Sequence, residues 1–193
     1  MKICVYGAAS SLIAQSYKDA AKDLGKKIAK RGDSLVFGGG ANGVMGAVAE
    51  GVYEEKGHIL GVVPKFFKEA NSEVSFKKCS EYIYTDTMRE RKCEMEKNCD
   101  AFIIAPGGIG TLDEFFEILT LNQLGRHNKA IVLFNINGFY DELDTMMTKS
   151  IEEEFITHDC KDLYKVLDNA DGILDYIEQY DPKDIDLSKV KIR

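Results

Sequence analysis

Three stretches of this sequence carry residues whose types and spacing suit chemistry. The sharpest is Pro106-Gly107-Gly108-Ile109-Gly110-Thr111, which follows an apolar run and precedes a helical pattern. Glycines let the backbone turn so that successive N–H groups face one anion, and the helix start behind them adds its positive end. Thr111 adds a hydroxyl, so Gly107, Gly108, Ile109, Gly110 and Thr111 are candidate ligand contacts. No Gly-Lys-Ser/Thr follows, so the loop is not a triphosphate cradle, and a small phosphate monoester fits it better. Glu114 stands three residues after Thr111. A carboxylate there serves either a reaction or a capping box that satisfies a backbone N–H; both readings stay open. Asp113 suits the helix dipole, and Glu117 reads as solvated or paired.

The second stretch is the helix beginning near Thr87. Met88, Arg91, Lys92 and Met95 recur at i, i+3, i+4 and i+7 and share one face. The face is either a methionine stripe with long cationic stems at its edge, or a pair of cations at the ligand edge of a sheet, where they balance a phosphate or a leaving group. The third stretch, Gly38-Gly39-Gly40-Ala41-Asn42-Gly43, formally satisfies G-x-G-x-x-G. The dinucleotide fingerprint also wants an acid about 20 residues on, at the end of the next strand. That strand ends Gly61-Val62-Val63-Pro64, without a carboxylate. A tight strand-to-helix turn accounts for some of these glycines. Three in a row point further, to amides such as those of Gly39 and Gly40 open to a ligand.

The elements that must position these groups alternate. Short apolar runs at Lys2–Tyr6, Ser34–Phe37, Ile59–Val63, Glu81–Thr85, Ala101–Ala105, Ala130–Phe134 and Tyr164–Leu167 read as strands. Helical spacing covers 15–30, 43–55, a helix from the Asp86 or Thr87 cap to about Asn98, 111–124, a segment marked by Leu143, Met146, Met147 and Ser150, and 171–180. The pattern is lost from 65 to 80, which reads as a loop or lid. Strands alternating with helices predict an α/β fold, a Rossmann-like, doubly wound, mostly parallel sheet in a single domain over 1–180, with a polar tail at 181–193. Such sheets bind ligands where strand C-termini meet helix N-termini.

The whole-chain numbers exclude other classes. The 193 residues carry a formal net charge of −7, which argues against duplex nucleic acid or an anionic membrane as partner. Five cysteines (Cys4, Cys79, Cys93, Cys99, Cys160) form no CxxC pair, and three histidines (His58, His127, His158) are scattered, so no metal centre is expected. No signal-peptide h-region and no membrane-length apolar run is present, so a cytoplasmic location is expected.

Read together, PGGIGTLDE (Pro106–Glu114) and MRERK (Met88–Lys92) resemble the Lonely Guy family of cytokinin-activating phosphoribohydrolases, often mislabelled lysine decarboxylases. FGGGANGVMG (Phe37–Gly46), GVVP (Gly61–Pro64) and QLG (Gln123–Gly125) agree as well, and the likeness runs from about residue 3 to 180. Nothing suggests a lysine that would carry pyridoxal phosphate. The resemblance implies hydrolysis of a nucleoside 5′-monophosphate to free base and ribose 5-phosphate, without metal or organic cofactor, by a homodimer or larger homo-oligomer. It implies Arg91 and Glu114 as the catalytic pair. Lys92, Gly108, Ile109, Gly110, Thr111, Leu112, Asp113 and Thr120 would line the nucleotide site, and Glu73 matches a family glutamate. The chain departs from the family at Ala8 and Ala9, where a serine-rich stretch is usual and Ser10 is the substitute. It departs also at Arg89, for a usual histidine, and at Leu121, for a common aromatic. Two rivals remain: a broader purine or pyrimidine nucleotide nucleosidase, and a non-catalytic nucleotide or cofactor carrier on the same fold.

Overall fold

The computed structural model describes residues 1–70 and 75–182. Seven strands, β1 (Lys2–Tyr6), β2 (Ser34–Phe37), β3 (Ile59–Pro64), β4 (Glu81–Thr85), β5 (Ala101–Ile104), β6 (Ala130–Phe134) and β7 (Lys165–Leu167), form one sheet in the order β4-β3-β2-β1-β5-β6-β7. Every pairing is parallel, with Ile3 beside Leu35 on one flank and Ala101 on the other. The strands are continuous apolar runs because helices cover both faces of the sheet. Along β1, Ile3 and Val5 enter the layer that contains α1 (Gln15–Lys30), α2 (Gly43–Glu54) and α7 (Ala170–Gln179). Cys4 and Tyr6 point the other way. They meet Met95 of α4 (Met88–Lys97), Phe115 and Ile118 of α5 (Ile109–Gln123), and Met147 of α6 (Asp141–Glu152).

The chain builds outward from β1 through β2 and β3 to β4, then returns to place β5 on the other side of β1. The loops after β1 and β5 therefore diverge at a topological switch point, where such sheets open a crevice. Both loops and the α4 and α5 starts lie at that edge.

Most boundaries shift by at most a residue, and two differences near the site are larger. Within 65–80, read as patternless, Lys65–Ala70 forms a short helix, α3. Six residues are too few for a helical period to declare itself. Helix α5 begins at Ile109, two residues before Thr111. Residues 183–193 of the expected tail, and Glu73, lie outside the described residues. Among the described residues, no helix is long and apolar enough to cross a membrane.

Candidate active site

Helix α4 starts firmly. The Thr87 hydroxyl accepts the Glu90 N–H at 3.1 Å, and the Glu90 carboxylate accepts the Asp86 N–H at 2.9 Å. This start fixes Arg91 one turn in, with its side chain pointing under the sheet edge. Arg91 is only 5% exposed, and its guanidinium has three neighbours. Nε donates to the Val62 carbonyl of β3 at 3.3 Å, and Nη1 donates to Glu114 Oε1 of α5 at 2.9 Å. Nη2 lies against Gly38, which follows β2, so closely that a Cβ there would come within 1.8 Å of it.

Glu114 is 8% exposed. Burial pushes its carboxyl above the ordinary glutamate range, and the Arg91 charge and hydrogen bond pull against that rise without cancelling it. The capping-box reading of Thr111 and Glu114 is overturned. The N-cap is Gly108, so Thr111 already sits inside the first turn, and Glu114 reaches sideways to α4. A carboxylate that is buried, raised in pKa and fixed by a guanidinium suits chemistry at a cationic centre.

The neighbouring charges form a second, more exposed rung between the same helices. Lys92 Nζ contacts Asp113 Oδ2 at 2.9 Å and also pairs with Glu117. Burial acts to lower the Lys92 pKa, but Glu117 and Asp113 outweigh it and the net shift is upward. Asp113 and Glu117 thus tie α5 to α4, Glu117 as the paired side chain expected of it and Asp113 through Lys92 and not the helix dipole.

The start of α5 is a different environment. Gly108 is extended, with φ −93 and ψ −153, and no acidic side chain occupies the first turn. Gly108, Ile109 and Gly110 are exposed. The first N–H groups of a helix have no intrahelical acceptor, so this start offers an anion its amides and its dipole. Thr111 is buried, with its side chain folded against Gly107, where a Cβ would meet Oγ1 at 2.1 Å. Leu112 is half-buried against the α4–α5–α6 layer. The β1 loop runs alongside: the Ala8 N–H donates to the Pro106 carbonyl at 3.0 Å, and Ser10, exposed, accepts the Leu12 N–H at 3.2 Å.

Other expected contacts fall elsewhere. Gly38, Gly39 and Gly40 are all buried and do not form an open amide cradle. The Gly39 carbonyl accepts the Phe76 N–H at 2.8 Å, and Gly40 bridges Ser75. Thr120 is exposed on α5, about 9 Å along the axis from Glu114 and about a third of a turn round the helix. The Val62 carbonyl and Gly38 escape a reading by residue type, since each acts through backbone. Their one sequence signal is position, at or just beyond the carboxyl ends of adjacent strands. A separate cavity of about 520 Å³ opens between the starts of α1 and α2, lined by Ser11, Lys18, Asn42 and Lys77, and it contains neither Arg91 nor Glu114.

Comparisons with known proteins give the family and the fold. A family model described as "Possible lysine decarboxylase" matches residues 45–177. The chain is 38% identical over 182 residues to a cytokinin riboside 5′-monophosphate phosphoribohydrolase of Arabidopsis thaliana, covering 94% of this chain and 84% of that protein. It is 38% identical over 182 residues to a protein of the same description from Oryza sativa subsp. japonica, covering 94% and 74%. Among solved structures, the Moco carrier protein of Chlamydomonas reinhardtii superposes with a TM-score of 0.69 at 23% identity, covering 92% of this chain and 95% of that one, a likeness of fold.

Proposed function

This chain belongs to the family of cytokinin riboside 5′-monophosphate phosphoribohydrolases, also described as possible lysine decarboxylases, and from that premise we propose that it hydrolyses the N-glycosidic bond of adenosine 5′-monophosphates, N6-modified ones included. The observation that carries the reading is the buried Arg91–Glu114 pair beside the exposed glycine-rich start of α5. In the reaction, water bonds to C1′ of the ribose and the C1′–N bond breaks. The electron pair leaves with the base, which takes up a proton. Positive charge builds on C1′ meanwhile, and the Glu114 carboxylate stabilises it or orients the water, as paired carboxylates do in glycosidases. Arg91 opposes the rise in pKa that burial gives that carboxylate and offsets negative charge on the departing base. The amides of Gly108, Ile109 and Gly110 hold the 5′-phosphate, so that binding energy far from the reacting bond aligns C1′.

Incubation with AMP and with N6-isopentenyl-AMP, followed by chromatography, is expected to yield free base and ribose 5-phosphate. Release of no base from any of several nucleotides would refute the hydrolase. A nucleotide retained tightly and unchanged would make the protein a carrier.

The working unit is a homodimer. Ile109, Asp113, Phe116, Thr120 and Leu124 recur at helical spacing on one face of α5. Ile109 and Leu124 are 89% and 54% exposed, and Phe116 is half-buried. A second copy packed on this face covers these apolar groups and brings Thr120, remote from Glu114 within its own chain, near a neighbouring site. Sedimentation velocity is expected to give twice the chain mass, and Phe116→Glu to give the monomer; a wild-type monomer at micromolar concentration rejects this assembly. Five free cysteines and the acidic surface suit a cytoplasmic protein.

A further inference from the structure

The guanidinium of Arg91 has a seat whose third side is a glycine, and that glycine has no backbone reason to be one. Gly39 and Gly43 adopt φ of +80 and +63, which side chains disfavour, whereas Gly38 is not among the positive-φ residues. An alanine at 38 is therefore acceptable to the backbone. What it meets is the guanidinium: the three heavy atoms nearest to a Cβ there are Arg91 Nη2 at 1.8 Å, Cζ at 2.9 Å and Nε at 3.4 Å. We propose that Gly38 is a positioning residue for Arg91, kept without a side chain so that the guanidinium can lie flat across the end of β2 and reach Glu114.

The other contacts explain why a methyl group there has a chemical consequence. Arg91 presents a planar fork, so its three nitrogens move together. Nε is held by the Val62 carbonyl at 3.3 Å and Nη1 by Glu114 at 2.9 Å. A Cβ at residue 38 displaces Nη2, which pulls Nη1 from Glu114 and Nε from Val62. Because the obstructing group is the far end of a flexible side chain, the chain still folds, with the ion pair opened. Glu114 then keeps its burial and loses the group that opposes it, so its pKa rises further. The methyl group of one residue just after β2 thereby acts on a carboxylate of α5 that it does not touch.

The activity readout rests on the hydrolase reading; the stability readout does not. Gly38→Ala is expected to lower kcat for AMP at least about tenfold with KM changed less than about threefold. The acid limb of its pH profile should move to higher pH, in the direction expected for loss of Arg91. In an Arg91→Ala background, where the space is empty, Gly38→Ala should cause no further loss of activity. Its Tm should match or exceed that of Arg91→Ala alone, whereas Gly38→Ala by itself lowers Tm. Additive effects across the cycle, or a Gly38→Ala protein with wild-type kcat and Tm, would overturn the proposal. If Gly38→Ala alone fails to fold, a folded double variant sustains it and an unfolded one rejects it. If the wild type releases no base from any nucleotide, the hydrolase reading fails, and the Tm cycle still decides whether Gly38 seats Arg91.

Discussion

Glu114→Gln is expected to lower turnover by about 10² or more while leaving a folded protein. The amide oxygen of glutamine can still accept from Arg91 Nη1, now at 2.9 Å from Glu114 Oε1, so the geometry of the two helices survives. What disappears is the negative charge facing the ribose. The buried guanidinium also loses its counter-charge, so Tm should fall by several degrees with a cooperative transition. Base release measured at saturating nucleotide, together with circular dichroism, separates the two effects. Near-wild-type turnover combined with a lowered Tm would make Glu114 a structural anchor of α4 to α5 and nothing more.

The second large effect is that of Arg91→Gln, and its signature is the pH profile. The form of Glu114 that stabilises a cation is the ionised one, so activity falls as pH drops through the Glu114 pKa. Burial already holds that pKa above the ordinary range, with Arg91 opposing the rise. Removing the guanidinium removes the opposition, and the pKa climbs. The acid limb of kcat/KM should therefore move to higher pH, and turnover at neutral pH should fall by about 10²–10³. An acid limb that stays in place, or moves to lower pH, would mean that the limb reports another group.

Why the sequence was legible in some places and silent in others follows from the range of each interaction. Helix α1 falls at 15–30 in both readings because Tyr17, Ala20, Ala21, Leu24 and Ile28 repeat on one stripe. The strands declare themselves as apolar runs because each is covered on both faces. Residue type places a cap at Asp86 or Thr87, and Thr87 fills it, with Glu90 three residues on. The same spacing from Thr111 to Glu114 misleads, because the N-cap is Gly108, three positions earlier than the capping pattern requires. The Arg91–Glu114 contact joins residues 23 apart, and β5 lies between them in the chain. Only the family resemblance of the two motifs singles the pair out. Gly38 stands out as part of a glycine run, but its role is hidden for a stricter reason: its neighbour is a side chain on a helix distant in the chain, and no local pattern encodes that.

The sheet order has a consequence for the chain as it is made. Strand β1 is paired on one flank once β2 has emerged, yet its other flank waits for Ala101–Ile104. For most of the synthesis of the first hundred residues, a nascent chain therefore carries the future centre of the sheet as an open edge of apolar residues, the kind of edge that recruits other strands. Arg91 too is made before its carboxylate partner. The insertion of β5 beside β1 moves that open edge outward to β5, where it waits for β6, and carries α5 toward α4, so the step that buries β1 also assembles the charge pair.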